Sequence, residues 1–137
     1  ARAIGMARSG NPAAARRGLD QLEDAYKKSA SDDYWATQVH VQLNEALAWI
    51  AYAEGKKDDA LKLMRAAADE EDAVEKRPFT PGAIVPAREQ LGDMLLESNR
   101  VSEALNEFEK ALTMTPQRRG ALMGQARARQ IVAAEKS

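Results

Sequence analysis

Small and apolar residues recur along the chain at helical spacing, and three stretches share one register. Gly10 is followed by Ala15, Leu19 and Leu22. Gly55 is followed at the same offsets by Ala60, Met64 and Ala67, and Asn99 by Ala104, Phe108 and Ala111. Gly and Asn are the residues that tolerate a left-handed backbone where a helix ends. A small residue five positions later lets a second helix cross the first closely, and the larger residues four and seven further on fill the space beside it. The pattern therefore predicts a unit of helix, tight turn and helix, repeated every 44 to 45 residues.

Start and stop signals place about seven helices. One ends over Ala1 to Ser9. Its partner runs from Pro12 to Ser29, with Asn11 as cap and Pro12 in the first turn. A third spans Asp32 to Glu54, capped at Ser31 or Asp32. Lys57 to Lys76 follows, with Asp58 or Asp59 as cap. The prolines and glycine of Arg77-Pro78-Phe79-Thr80-Pro81-Gly82 break the helical ladder. Ile84 to Ser98 and Val101 to Met114 form a third pair, and Thr115-Pro116 opens a last helix running to Lys136. The units are 1–30, 31–76 and 81–114, with a closing helix at 115–136, in one domain. The chain reads as a piece of a longer protein, because Ala1 is not Met and 1–9 is already helical.

Composition agrees with helices. Alanine occurs 27 times, while Val, Ile and Thr together occur 14 times, the reverse of what a sheet selects. Zero Cys removes disulfides, thiolate metal sites and a Cys nucleophile. No apolar run approaches a membrane span. The lack of a leader favours the cytoplasm, and the periplasm stays open if a leader was removed. The net charge of -1 conceals +3 over residues 1–28, +4 over 115–137 and -8 between them. The basic ends lack the interleaved aromatics of a nucleic-acid surface, so no nucleic-acid partner is expected.

These residues carry a family resemblance. The third unit resembles a tetratricopeptide repeat (TPR) through Leu91-Gly92, Leu95, Ala104, Phe108, Ala111 and Pro116. The second matches in Leu47-Ala48, Gly55, Ala60, Met64 and Ala67, and the first only from Gly10 onward. Leu122 and Ala126 place the last helix in register as a further first helix or a closing helix. Arg88 stands at the family's Trp position, and the family unit is roughly 34 residues, so the extra length here falls after each second helix. The resemblance implies an all-α solenoid of antiparallel helical hairpins whose first helices line a peptide-binding groove. Carried over by position, Glu45, Trp49 and Tyr52 of the second unit, Glu89, Asp93, Leu96 and Glu97 of the third, and Arg127 of the last helix are the candidate partner-binding residues.

Glu89, Asp93 and Glu97 share one helix face at four-residue spacing, which points to a partner with a basic segment. The plainer reading is a solvated face with Arg88, Arg100 or Arg127 as counter-charges. Acid at these positions disfavours the acidic chaperone tails that basic TPR grooves hold. Trp49 and Tyr52 fit a binding hot spot or gap-filling between helices; Tyr34 and Trp35 read as helix-start packing. Lone His40 has no second ligand at metal spacing. The run Asp69-Glu70-Glu71-Asp72 points around its helix rather than converging. No phosphate loop or nucleophile motif occurs, so neither catalysis nor a cofactor is expected. Phe79 in the Pro-rich stretch is a second docking candidate, or tucks between units. The expected function is a non-catalytic protein-interaction module. The alternatives are a self-associating scaffold forming homo-oligomers, or an accessory domain of an enzyme whose catalytic part lies elsewhere.

Overall fold

The structure is a computed structural model that describes residues 1–74 and 84–137. Among the described residues there are seven helices and no strand: α1 (Arg2–Arg8), α2 (Pro12–Lys28), α3 (Asp33–Ala53), α4 (Lys57–Ala73), α5 (Ala87–Glu97), α6 (Val101–Met114) and α7 (Arg119–Glu135). They form two compact units, one of α1 to α4 and the other of α5 to α7. In the first, α1, α2 and α3 pack on one another and α4 packs on α3; in the second, α6 packs between α5 and α7, which also touch. The stretch 77–82, including Phe79, lies outside the described residues.

Three turns are built alike. Gly10, Gly55 and Asn99 have φ of 80°, 83° and 59°, the left-handed conformation. Each donates its N–H to the carbonyl three residues back, to Ala7, Tyr52 and Leu96, at 3.0 Å. The following residue reaches five back: Asn11 to Met6 at 3.0 Å, Lys56 to Ala51 at 2.9 Å and Arg100 to Leu95 at 2.8 Å. This paired bonding satisfies carbonyls that a helix end leaves open. The expected small residues, Ala15, Ala60 and Ala104, are each 0% exposed. Leu19, Met64 and Phe108 are buried four positions on, and Ala67 and Ala111 are buried three beyond Met64 and Phe108.

A left-handed residue with a Cβ is strained by about 1–2 kcal/mol. Gly55→Ala is therefore expected to lower stability by about 1 kcal/mol, while Asn99→Gly, which removes the strained Cβ, is tolerated. Urea unfolding of both variants checks this asymmetry.

Caps and helix starts follow chemistry with three corrections. Asn11 accepts from the Ala14 amide at 3.0 Å, and Asp32 from Tyr34 and Trp35 at 3.0 and 3.3 Å. Neither Asp58 nor Asp59 caps α4: Lys56 holds that position, and both acids lie in the first turn, where they meet the positive end of the helix dipole. Thr115 closes α6 instead of capping α7, which begins at Arg119. The Arg118 amide donates to the Thr115 carbonyl at 3.1 Å, a turn that delays the helix. Likewise α5 begins at Ala87, not Ile84, with Pro86 as its cap. The proline disfavours helical backbone at Val85.

Candidate functional site

The first-unit candidates lie on α3, and α1 settles their environment. Trp49 is 1% exposed and Glu45 4%. The Arg8 guanidinium lies 4.3 Å from the centre of the Trp49 ring, a cation–π contact between α1 and α3. The Tyr52 ring meets Trp49 edge-on at 5.7 Å, and Lys57 Nζ sits 5.6 Å from the Tyr52 ring. Trp49 thus packs inside the unit. Tyr52 is half-buried and reaches the surface. Trp35, taken as a packing residue, is exposed, with its ring 5.3 Å from Tyr34.

His40 also lies on α3. Its Nδ1 is 2.8 and 2.9 Å from the two carboxylate oxygens of Glu70 on α4, and the Tyr26 ring of α2 lies 5.6 Å away. The contact joins helix faces. Among the described residues no group of three or more His, Cys, Asp and Glu converges as a metal site would. At the end of α3, Glu54 receives a forked bond from Arg16 at 2.6 to 2.9 Å. That bond, opposed by burial and aided by the charges of Arg16 and Lys56, holds the Glu54 carboxyl below its ordinary range.

In the second unit, α5 buries every residue from Ala87 to Gly92. The acidic row Glu89, Asp93 and Glu97 is consequently not uniform. The Glu89 side chain is 9% exposed and accepts from Arg118 Nε at 2.8 Å. Arg118 also donates to the Ile84 carbonyl, bracing the entry to α5. The Glu89 carboxylate lies where a Cβ on Gly120 would stand, so α7 closes over it. Asp93 and Leu96 are half-buried and Glu97 is exposed. The counter-charge of Glu89 is thus Arg118, rather than Arg88, Arg100 or Arg127.

Arg88 turns inward. Its Nη1 donates to Glu107 of α6 at 2.9 Å, with the two side chains 8% and 4% exposed. Lys110 adds a bond to the same carboxylate at 3.2 Å. Burial pushes the Glu107 carboxyl up, but the bonds from Arg88 and Lys110 and their charges outweigh it and hold the group below its ordinary value of 4.5. Arg100 pairs with Glu103 at 2.8 Å within its own turn.

The partners Arg8 and Trp49, His40 and Glu70, Arg88 and Glu107, and Glu89 and Arg118 are too far apart in sequence for local spacing to reveal them. Only the register of one helix on another brings them together. The surface presents an aromatic ring at Tyr52, an acidic and apolar edge on α5, and an Arg-bearing face on α7. No family model, no curated protein and no solved structure matches the chain.

Proposed function

We propose that this chain is a non-catalytic protein-interaction module made of TPR-like helical hairpins stacked as a solenoid. The observation that supports this reading is the threefold recurrence of one turn, with the same left-handed residue and the same pair of hydrogen bonds at Gly10, Gly55 and Asn99. Each hairpin leaves an apolar face that a neighbouring helix covers, the physical basis of repeat stacking. No helix of the described residues is long and apolar enough to cross a membrane.

The binding surface in this reading is the α5 edge of Asp93, Leu96 and Glu97, and its partner is a protein segment with basic residues around an apolar one. Glu45, Trp49 and Glu89 support the helices from within instead of touching the partner. Crosslinking of the purified chain to captured partners, followed by mass spectrometry, tests this. Asp93→Lys with Glu97→Lys is expected to lower capture of basic partners by about tenfold or more, since like charges replace attraction at a partly exposed rim. Unchanged capture removes α5 from the reading.

A further inference from the structure

Six arginines lie on the second unit from Arg88 onward. Arg88, Arg100, Arg118 and Arg129 are ion-paired, to Glu107, Glu103, Glu89 and Glu109 respectively. Arg119 and Arg127 are exposed and have no ion-pair partner among the described residues. Both belong to α7, at four-residue steps on either side of Met123, which is 62% exposed. Residues four apart on a helix form one ridge, so the order along it is cation, thioether, cation. Leu122 lies beside it at 44% exposed, with exposed Ala126. The opposite side of α7, with Ala121, Gly124 and Ala128, is buried.

We infer that this outward ridge of α7 docks an amphipathic helix carrying two carboxylates that flank a large apolar residue. The charge pattern selects the occupant. Arg119 and Arg127 are eight residues apart, about 12 Å along the helix axis. A partner helix matches that span with acidic residues seven or eight positions apart. Its apolar residue covers Met123 and Leu122, and small Ala126 permits close approach. Each guanidinium donates two N–H bonds to a carboxylate in the forked geometry that Arg favours. A second copy is a poor occupant for an antiparallel α7 pair centred on Met123, because Arg119 of each copy would face Arg127 of the other. This surface is separate from the α5 edge and opposite in charge, and it stands whether or not that edge binds a basic partner.

The test uses two labelled Ala-based helical peptides, one with Glu, Leu and Glu at i, i+4 and i+8, the other with Lys in place of each Glu. Fluorescence anisotropy with the whole chain at low salt is expected to show the Glu peptide binding about tenfold tighter or more. Arg119→Glu with Arg127→Glu inverts the preference, and Met123→Glu weakens both, with circular dichroism unchanged because all three residues are exposed. Failure of the Glu peptide to bind overturns the inference, as does equal affinity for both peptides or a preference indifferent to the Arg reversals. A dimer in sedimentation equilibrium that Met123→Glu dissolves, with no peptide bound, assigns the ridge to a second copy. Binding only to vesicles of anionic phospholipid assigns it to a membrane surface. Either result also overturns the inference, and none of them bears on Asp93 or Glu97.

Discussion

Phe108→Ala is expected to lower the stability of the α5–α7 unit by about 4 kcal/mol, the range for truncating a fully buried aromatic residue. Phe108 is 0% exposed, and its ring occupies a slot floored by two glycines. A Cβ built on Gly92 would come within 2.6 Å of Phe108 Cε1, and one on Gly124 would also strike the ring. The ring therefore sets the approach of α5 and α7 to α6, and glycine is required on both sides of it. Gly92→Ala brings two opposing effects. Overpacking a core costs about 1–3 kcal/mol, while alanine gains about 1 kcal/mol of helix propensity over glycine. The net loss in the native background is about 1 kcal/mol. With Phe108→Ala already in place the clash disappears, and Gly92→Ala becomes stabilising by about 1 kcal/mol. A double-mutant cycle by urea unfolding reads this change of sign. A stabilising Gly92→Ala in the native background would show that the ring does not rest on Gly92.

The second large effect is expected at Arg88. Arg88→Met leaves the Glu107 carboxylate buried with Lys110 at the edge, and loss of one partner from a buried pair costs about 3 kcal/mol. Arg88→Met combined with Glu107→Leu is expected to recover most of that loss, since an apolar pair needs no compensation for lost hydration. Equal destabilisation by the single and double variants would place the cost in packing rather than charge. The same site predicts an acid dependence. Glu107 titrates below its ordinary value of 4.5 in the folded chain, so the unfolded chain binds the proton more tightly. The stabilisation is full above that ordinary value and is lost as pH falls through 4.5 toward the lower folded value. Glu54, also held low, contributes with the same sign. Glu107→Gln is therefore expected to flatten, but not abolish, the decline in thermal stability over that acid interval.

The elements were legible because their causes are local. A left-handed turn needs Gly or Asn, a helix start welcomes Asn11 or Asp32, and a crossing point needs Ala. Each of these acts within one turn of helix, so spacing alone reveals it. The errors at Thr115 and Ile84 are local too: a Thr-Pro or Val-Pro pair marks a break without stating on which side of it the helix resumes.

The candidate surface was far less legible. One face held Glu89, Asp93 and Glu97 by spacing, yet Glu89 is enclosed under α7 and Glu97 is exposed. The aromatic pair Trp49 and Tyr52 read as a candidate hot spot, yet Arg8 lies over Trp49. Arg119 stood out only as part of the basic end over residues 115–137, where its neighbour Arg118 is tied to Glu89.

The helical elements, the three turns and the small residues at each crossing follow from residue order alone, because backbone sterics and helix period depend on near neighbours. Which charges and aromatics face solvent depends instead on packing between helices remote in sequence. Burial of a side chain is set by whatever helix arrives from a distant part of the chain. A Glu that would be hydrated on an isolated helix becomes interior once an Arg from 29 residues away is there to hold it.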